Sequence, residues 1–323
     1  MSDSENVVGI VILNYNSAED AINCVRSVEQ YNTAKVKYIV VDNASTKQGS
    51  VETMDEAFSS MFGLDYQKRQ ESVSYEKQEL PHITLLTSAH NDGYARGNNK
   101  GIKLADTDDT LSHILILNSD VLFVDDIIPS LIDYLNKLPN AAIMSPMLYK
   151  KEMKGYDYTC ARRIHTNNYI ICSYLLMKSS IFGILKRMDL KRLMLKSDPS
   201  ISEKEYIEIE LPSGSCMLFS KGLTRKIKLF DPNTFLYYEE NIIYKQEEKL
   251  NLKNYLVPRL KCIHLGATST RKSSKTFVLN EGLKSADYYL NTYCDMTIFQ
   301  RILFLIAKNI YKIKLFFIKK LKE

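Results

Sequence analysis

His113-Ile-Leu-Ile-Leu-Asn-Ser-Asp120 decides how this 323-residue chain folds. Its apolar run has no polar alternation, which predicts a strand buried on both faces, as in a parallel sheet. The run stops abruptly at Asn118, Ser119 and Asp120. The strand therefore delivers a carboxylate to the carboxyl edge of its sheet, the edge where open α/β sheets bind ligands.

Upstream, Val7-Val-Gly-Ile-Val-Ile-Leu13 reads as a strand rich in β-branched residues. Ser17 and Asp20 resemble a capping box opening a helix through Tyr31, with Ile22, Val25 and Val28 at helical spacing. Residues 37–41 form a second strand that ends at Asp42-Asn43, and residues 50–62 a second helix. The polar stretch 67–79 predicts an exposed helix or loop, and residues 82–86 another strand. Asn91-Asp-Gly-Tyr-Ala-Arg-Gly-Asn-Asn99 reads as a loop leading into a short helix over 100–105. Downstream, Asp125 caps a helix bearing Ile128, Leu131, Leu135 and Leu138. Strands are expected at 141–144, 206–211, 216–219 and 256–264, and helix from residue 280 onward. Alternating strand and helix predicts an α/β fold, a mostly parallel sheet with helices on both faces, followed by a C-terminal helical segment.

With 45% hydrophobic and 25% charged residues the composition is that of a globular protein. The polar start argues against a signal peptide, and no uncharged apolar run reaches the ~18 residues a spanning helix needs. Six cysteines without a C-x-x-C pair speak against a zinc or disulfide framework and for reduced thiols in cytoplasm. The net charge of +5 is unevenly placed. Residues 150–196 carry eleven Lys/Arg against three acids, and 297–323 seven against one, so the rest of the chain is net acidic. Such localised charge points to a localised anionic partner. Arg301, Lys308, Lys312, Lys314, Lys319, Lys320 and Lys322 lie among Ile, Leu, Phe and Tyr, as in a basic amphipathic helix at an anionic membrane. No nucleic-acid motif accompanies them, so nucleic acid is not an expected partner.

Several residues could carry chemistry. Asp42 and Asp120 sit at strand ends, where an Asp otherwise caps a turn. Gly93 and Gly97 permit close backbone approach before a helix N-terminus, which favours anions such as a diphosphate. The segment is neither a Walker loop nor a dinucleotide fingerprint. Glu239-Glu240 follow the aromatic run Phe235-Leu-Tyr-Tyr238, where apolar surroundings would raise a carboxyl's proton affinity. His264 ends an apolar strand.

Taken in order, these pieces resemble the family 2 inverting glycosyltransferases of GT-A fold, especially the rhamnosyltransferase-like group of bacterial polysaccharide assembly. The resemblance rests on Val11-Ile-Leu-Asn-Tyr-Asn16, Val40-Val-Asp-Asn-Ala-Ser45, the 91–99 segment, Leu117-Asn-Ser-Asp120, Phe230-Asp-Pro to Tyr238-Glu-Glu240, and His264 to Ser269. It implies that Asp42, with Asn43, contacts the base or ribose of a nucleotide-sugar donor such as dTDP-rhamnose, in a pocket lined by Asn14 and Tyr15. Gly93, Asn98, Asn99 and Asn118 would shape the nucleotide and diphosphate side. Asp120, the last acid of a D-x-D-like motif, would bind a divalent metal, Mg²⁺ or, with His264 as a ligand, Mn²⁺. Glu240 would be the general base, with Glu239 the second candidate. Family members usually carry Glu-Asp there, and Asn118 replaces the motif's first acid. Arg162, Arg163, Ser213 and Gly214 are placed at the acceptor, a saccharide or lipid-linked saccharide at the inner face of the plasma membrane. The implied organisation is a GT-A domain over 1–279 and a basic helical tail over 280–323. The domain divides into a nucleotide-sugar half (1–149), a basic insertion (150–200) and an acceptor half (201–279). Two other readings compete. A sugar nucleotidyltransferase wants a Gly-rich, basic loop after the first strand, where this chain has Asn14-Tyr-Asn-Ser17. A nucleotide-sugar-binding protein without turnover would account for Glu240 and Asn118.

Overall fold

In the computed structural model, which describes residues 6–150, 155–157, 160–176, 199–266 and 274–320, the strand that opens the chain lies inside a ten-stranded sheet. This is β1 (Val7–Asn14), which pairs in parallel with β2 (Lys35–Asp42) on one side and with β5 (Leu111–Asn118) on the other. Beyond β2 lie β4 (Ile83–Thr87) and the edge strand β3 (Tyr66–Gln70), also parallel. The chain moves outward from β1 through β2 and then returns to the other side for β5. The carboxyl ends of β1 and β5 thus flank a topological switch point, where such sheets open a crevice.

Past β5 the sheet becomes mixed. Strand β11 (Cys216–Ser220) runs antiparallel to β5 and to β7 (Ala141–Lys150). Then follow β12 (Lys253–His264), parallel to β7, and β6 (Val121–Phe123), antiparallel to β12, with β9 (Ile207–Ile209) pairing off the path. A separate two-stranded ribbon joins β8 (Ala161–Arg162) to β10 (Leu211–Pro212).

Both sheet faces are covered, which is why β1 and β5 read as unbroken apolar runs. Val8, Ile10, Ile12, Leu115 and Leu117 point to one core, beneath α1 (Ala18–Tyr31), α2 (Ser50–Phe62) and α4 (Ile128–Lys137). Val11, Ile114 and Ile116 alternate into the other, beneath α3 (Gly93–Ala105). A third cluster joins α5 (Asn167–Leu175), α6 (Glu239–Lys249), α7 (Lys275–Tyr293) and α8 (Ile298–Lys320) through Ile171, Ile242, Tyr289 and Phe304. Asp231 helps fix this cluster to the loop that precedes α6, accepting hydrogen bonds from the hydroxyls of Tyr288 and Tyr293. No helix among the described residues is long and apolar enough to cross a membrane.

Some local expectations are corrected. The 67–79 stretch contains β3, whose polar side chains reflect an edge position. Ser17 is the N-cap of α1 but forms no side-chain cap; its N–H instead donates to Asn14 Oδ1. Asp125 does not cap α4, which starts at Ile128 behind Ile127 with a proline in its first turn. The 91–99 segment is mostly helix, because α3 begins at Gly93. Residues 177–198 of the basic insertion, Lys322 and residues 267–269 lie outside the described residues.

The glycines of α3 explain its glycine-rich start. A Cβ on Gly97 would lie 2.6 Å from Leu13 Cδ1, and one on Gly101 2.4 Å from Val11 Cγ1. Their absence lets the helix backbone settle directly on β1. Gly101→Ala should therefore destabilise the protein by about 1–2 kcal/mol, since overpacking against a β-branched neighbour outweighs the ~1 kcal/mol gain in helix propensity. Urea unfolding measures the sign, and a stabilised variant would refute this account.

Candidate active site

At the crevice, Asn14 and Asp42 are register partners at the ends of β1 and β2. Asn14 Nδ2 donates to Asp42 Oδ1 at 2.9 Å, and Asp42 also accepts from Ser45 through its hydroxyl (2.6 Å) and its N–H (3.0 Å). Both residues are buried, so they form a polar clamp that shapes the crevice floor, while Tyr15 is half-buried beside them. Asn43 extends the clamp to α3: its Nδ2 donates to Asn91 Oδ1 and to the Gly93 carbonyl. Gly93 has φ +80°, and a Cβ there would strike the Phe235 carbonyl oxygen at 2.3 Å. Asn98 is buried with Nδ2 on the Tyr94 carbonyl, and Asn99 Nδ2 donates to the Phe230 carbonyl at 2.7 Å. These two asparagines tie α3 to itself and to the loop that leads to the acidic pair.

At the end of β5, Asp120 is buried beside His264, because pairing of β6 with β12 sets His264 opposite Val121. Asp120 Oδ1 and His264 Nε2 are 3.5 Å apart. On the far side of the ring, Nδ1 lies 2.7 Å from Asp157 Oδ2, which fixes the imidazole's orientation. Burial alone would lower the His264 pKa, but hydrogen bonds and charge from Asp120 and Asp157 outweigh it and push the group up to about 9. Asp120 Oδ1 and His264 Nε2 converge here, the nitrogen becoming a metal donor only when a cation displaces its proton. Among the described residues no group of three or more His, Cys, Asp and Glu is arranged to hold a metal. A cation at this place would take two protein ligands and draw the rest from substrate and water.

The acidic pair opens α6. Tyr237 and Tyr238 precede it with φ of +73° and +70°, a left-handed conformation costly for bulky side chains. Tyr238 is held there by stacking on Tyr289, ring centroids 5.3 Å apart. The two acids that follow border the same cavity but differ in burial. Glu239 turns inward and is buried; desolvation, reinforced by the charge of Glu240, raises its pKa to about 8. Glu240 lines a cavity of about 550 Å³. Its Oε1 accepts from the Gly214 N–H at 3.0 Å and lies 3.4 Å from Arg162 Nη2. Oε2 has no hydrogen-bond partner among the described residues.

A single dipeptide joins the two halves of the site. While the Gly214 N–H holds Glu240, Ser215 Oγ lies 3.5 Å from His264 Nε2 and accepts from Asn118 Nδ2. The Gly214 carbonyl accepts from Tyr94 Oη at 2.6 Å, and a Cβ on Gly214 would lie 2.8 Å from that oxygen. Of the residues expected at the acceptor, Arg162, Ser213 and Gly214 line the cavity. Arg163, one position along the ribbon, is exposed. Sequence reasoning missed Asp157, one of only three acids in the 150–196 segment. It also missed Tyr174 and Tyr311, which wall the cavity from α5 and α8 with ring centroids 4.9 Å apart. Nothing in their local sequence marks them.

The profile of Glycosyl transferase family 2 matches residues 9–227, about two-thirds of the chain. The chain belongs to this family. The match ends before Glu239-Glu240 and His264, so the part these residues play rests on the geometry above. This glycosyl transferase family 2 chain is 24% identical over 235 residues to the low-salt glycan biosynthesis hexosyltransferase Agl10 of Haloferax volcanii, covering 72% of itself and 59% of that relative. Among solved structures it is similar to GalNAc-T7 with UDP, GalNAc and Mn²⁺ (TM-score 0.60, 14% identity), covering 90% of this chain and 49% of that one. It is also similar to the mannosyltransferase PcManGT of Pyrobaculum calidifontis with GDP-Man and Mn²⁺ (TM-score 0.53, 13% identity), covering 93% and 68%. Both likenesses concern the GT-A type of α/β fold.

The buried Glu239 sets a pH dependence of stability. Its folded pKa of about 8 exceeds the ordinary 4.5, so between those values the folded state holds a proton that the unfolded state has released. Stability therefore falls as pH rises from about 4.5 to about 8 and levels off above. Glu239→Gln should lack this slope, with a melting-temperature advantage over wild type that grows across the window. Parallel profiles in thermal melts would sink the assignment.

Proposed function

We propose that this protein is an inverting glycosyltransferase that moves a hexose from a nucleotide-sugar donor to a saccharide acceptor, lipid-linked and destined for a cell-surface polysaccharide. The observation that carries the reading is the Gly214-Ser215 dipeptide, which joins the Glu240 carboxylate on the cavity wall to the Asp120–His264 pair at the crevice. Family membership and the hexosyltransferase relative support the reaction class, and dTDP-rhamnose is the donor that the rhamnosyltransferase-like motifs favour.

The donor's base and ribose would rest against the Asn14–Asp42–Asn43 clamp and Tyr15, at the switch point of the sheet. The acceptor would occupy the cavity with its hydroxyl at Glu240. As that oxygen attacks the anomeric carbon, Glu240 Oε2 takes its proton, the new glycosidic bond forms, and the bond to the diphosphate breaks on the opposite face. Arg162 and the Gly214 N–H hold Oε1, so the base approaches in one orientation although glutamate is a methylene longer than the aspartate usual here. Glu239 retains its proton up to about pH 8 and is therefore the poorer base. The Asp120–His264 pair fits a divalent cation, Mn²⁺ ahead of Mg²⁺ given the imidazole, and both similar solved structures hold Mn²⁺. Such an ion would supply positive charge to the departing diphosphate.

Transfer and donor hydrolysis measured across a nucleotide-sugar panel, with Mn²⁺ or Mg²⁺ added or chelated, test the proposal. Asp120→Ala should abolish turnover in a folded protein, and Glu240→Gln should lower kcat by about 10²–10⁴-fold with little change in donor affinity. Full activity of Asp120→Ala with metal chelated would overturn the mechanism. Pyrophosphate release from a nucleoside triphosphate and a sugar phosphate would identify a nucleotidyltransferase instead, and donor binding without turnover a binding protein. Asp157→Asn should weaken Mn²⁺ binding about 10–100-fold through loss of its hold on His264, measurable by calorimetry. An unchanged affinity would remove His264 from the ligand set.

A further inference from the structure

Helix α8 is apolar on two opposite faces. Phe304, Ala307, Tyr311 and Leu315 recur at helical spacing and are buried against the α5 and α7 cluster. On the opposite face, eight large apolar side chains between residues 298 and 317 are exposed, Phe316 at 63% and Ile302 at 54%. They make up eight of the fifteen large hydrophobic residues exposed among the described residues, gathered on one helix about 30 Å long. A contiguous apolar strip of that size marks a binding surface rather than scatter.

Charge decides what the strip binds. Arg301 and Lys312 are exposed along one flank, and residues 297–323 carry seven cations and one acid. A second copy of this chain would bring like-charged flanks together. An anionic bilayer answers both features, taking the apolar side chains into its interface and the cations at its headgroups. The helix is fixed to the body beneath, because Lys308 pairs with Asp287 at 2.9 Å and Lys314 Nζ donates to the Leu175 carbonyl at 3.1 Å.

We infer that the outward face of α8 seats the protein on an anionic lipid surface, while Tyr311 on its inward face walls the cavity of Glu240. The cavity then stands about one helix diameter, roughly 10 Å, from the lipid. That spacing suits an acceptor whose reacting sugar lies close to its lipid anchor. The acceptor part of this inference rests on the proposed glycosyl transfer; the docking part does not.

The test is sedimentation of the full chain with vesicles of phosphatidylcholine alone or mixed with phosphatidylglycerol, without donor or acceptor. Wild type should bind the mixed vesicles and lose binding in high salt. The double variant Ile302→Glu/Phe316→Glu should lose about tenfold or more of that binding and keep wild-type melting and wild-type turnover of donor with a soluble acceptor. Arg301→Gln/Lys312→Gln should weaken binding to the mixed vesicles only. Absence of binding by wild type, or equal binding by the double variant, would overturn the inference. So would a wild-type dimer in light scattering that the double variant dissolves, which would assign the strip to a second copy. Vesicle binding without sugar transfer would leave the docking standing and defeat the catalytic reading.

Discussion

The arrangement depends on the antiparallel pairing of β11 with β5. All the strands out to β3 follow the parallel logic of a doubly wound sheet, and alone they would present a crevice with no acidic pair beside it. The reversed strand carries its own amino-terminal turn, Ser213-Gly214-Ser215, to the carboxyl end of β5. There Asn118 is doubly held, its backbone N–H on the Ser215 carbonyl and its amide on the Ser215 hydroxyl. Residues from one turn thus reach the metal-type pair on one side and the acid on the other. Side chains separated by more than a hundred positions share a frame set by main-chain hydrogen bonds, which is more rigid than side-chain contacts between loops.

Electrostatics sorts the two adjacent acids. Glu239 and Glu240 are neighbours in sequence with the same chemistry and both border the cavity, yet Glu239 is almost wholly buried while Glu240 lies beside a guanidinium and a peptide N–H. Two like charges cannot both be maintained cheaply at this spacing, and burial selects which keeps its proton. The left-handed Tyr237-Tyr238 backbone leads directly into this pair, which opens α6.

The sheet was legible because its central strands obey one rule. Strands buried on both faces are unbroken apolar runs, as are most of β1, residues 38–41 of β2 and residues 114–117 of β5, each strand ending in a polar residue at the crevice. The same rule hides β3, whose residues are polar because the strand is an edge. Helix α3 was mistaken in part for a loop since glycine is a poor helix former; its glycines answer to packing against Val11 and Leu13, which no local propensity reveals. Asp42, Asp120, Glu240 and His264 stood out at element ends. Asp157 did not, since its contact with His264 spans 107 positions and arises where β7 and β12 end side by side.

Tyr311 lies in α8, well beyond the family 2 region, and still borders the cavity. The cavity beside Glu240 therefore cannot close until α8 has been made. The crevice can form once β5 and β11 have paired, but the far wall of the cavity arrives only with α8. A chain made only as far as β12 would leave the Glu240 carboxylate open to water on that side, so enclosure of the cavity depends on residues outside the family 2 region.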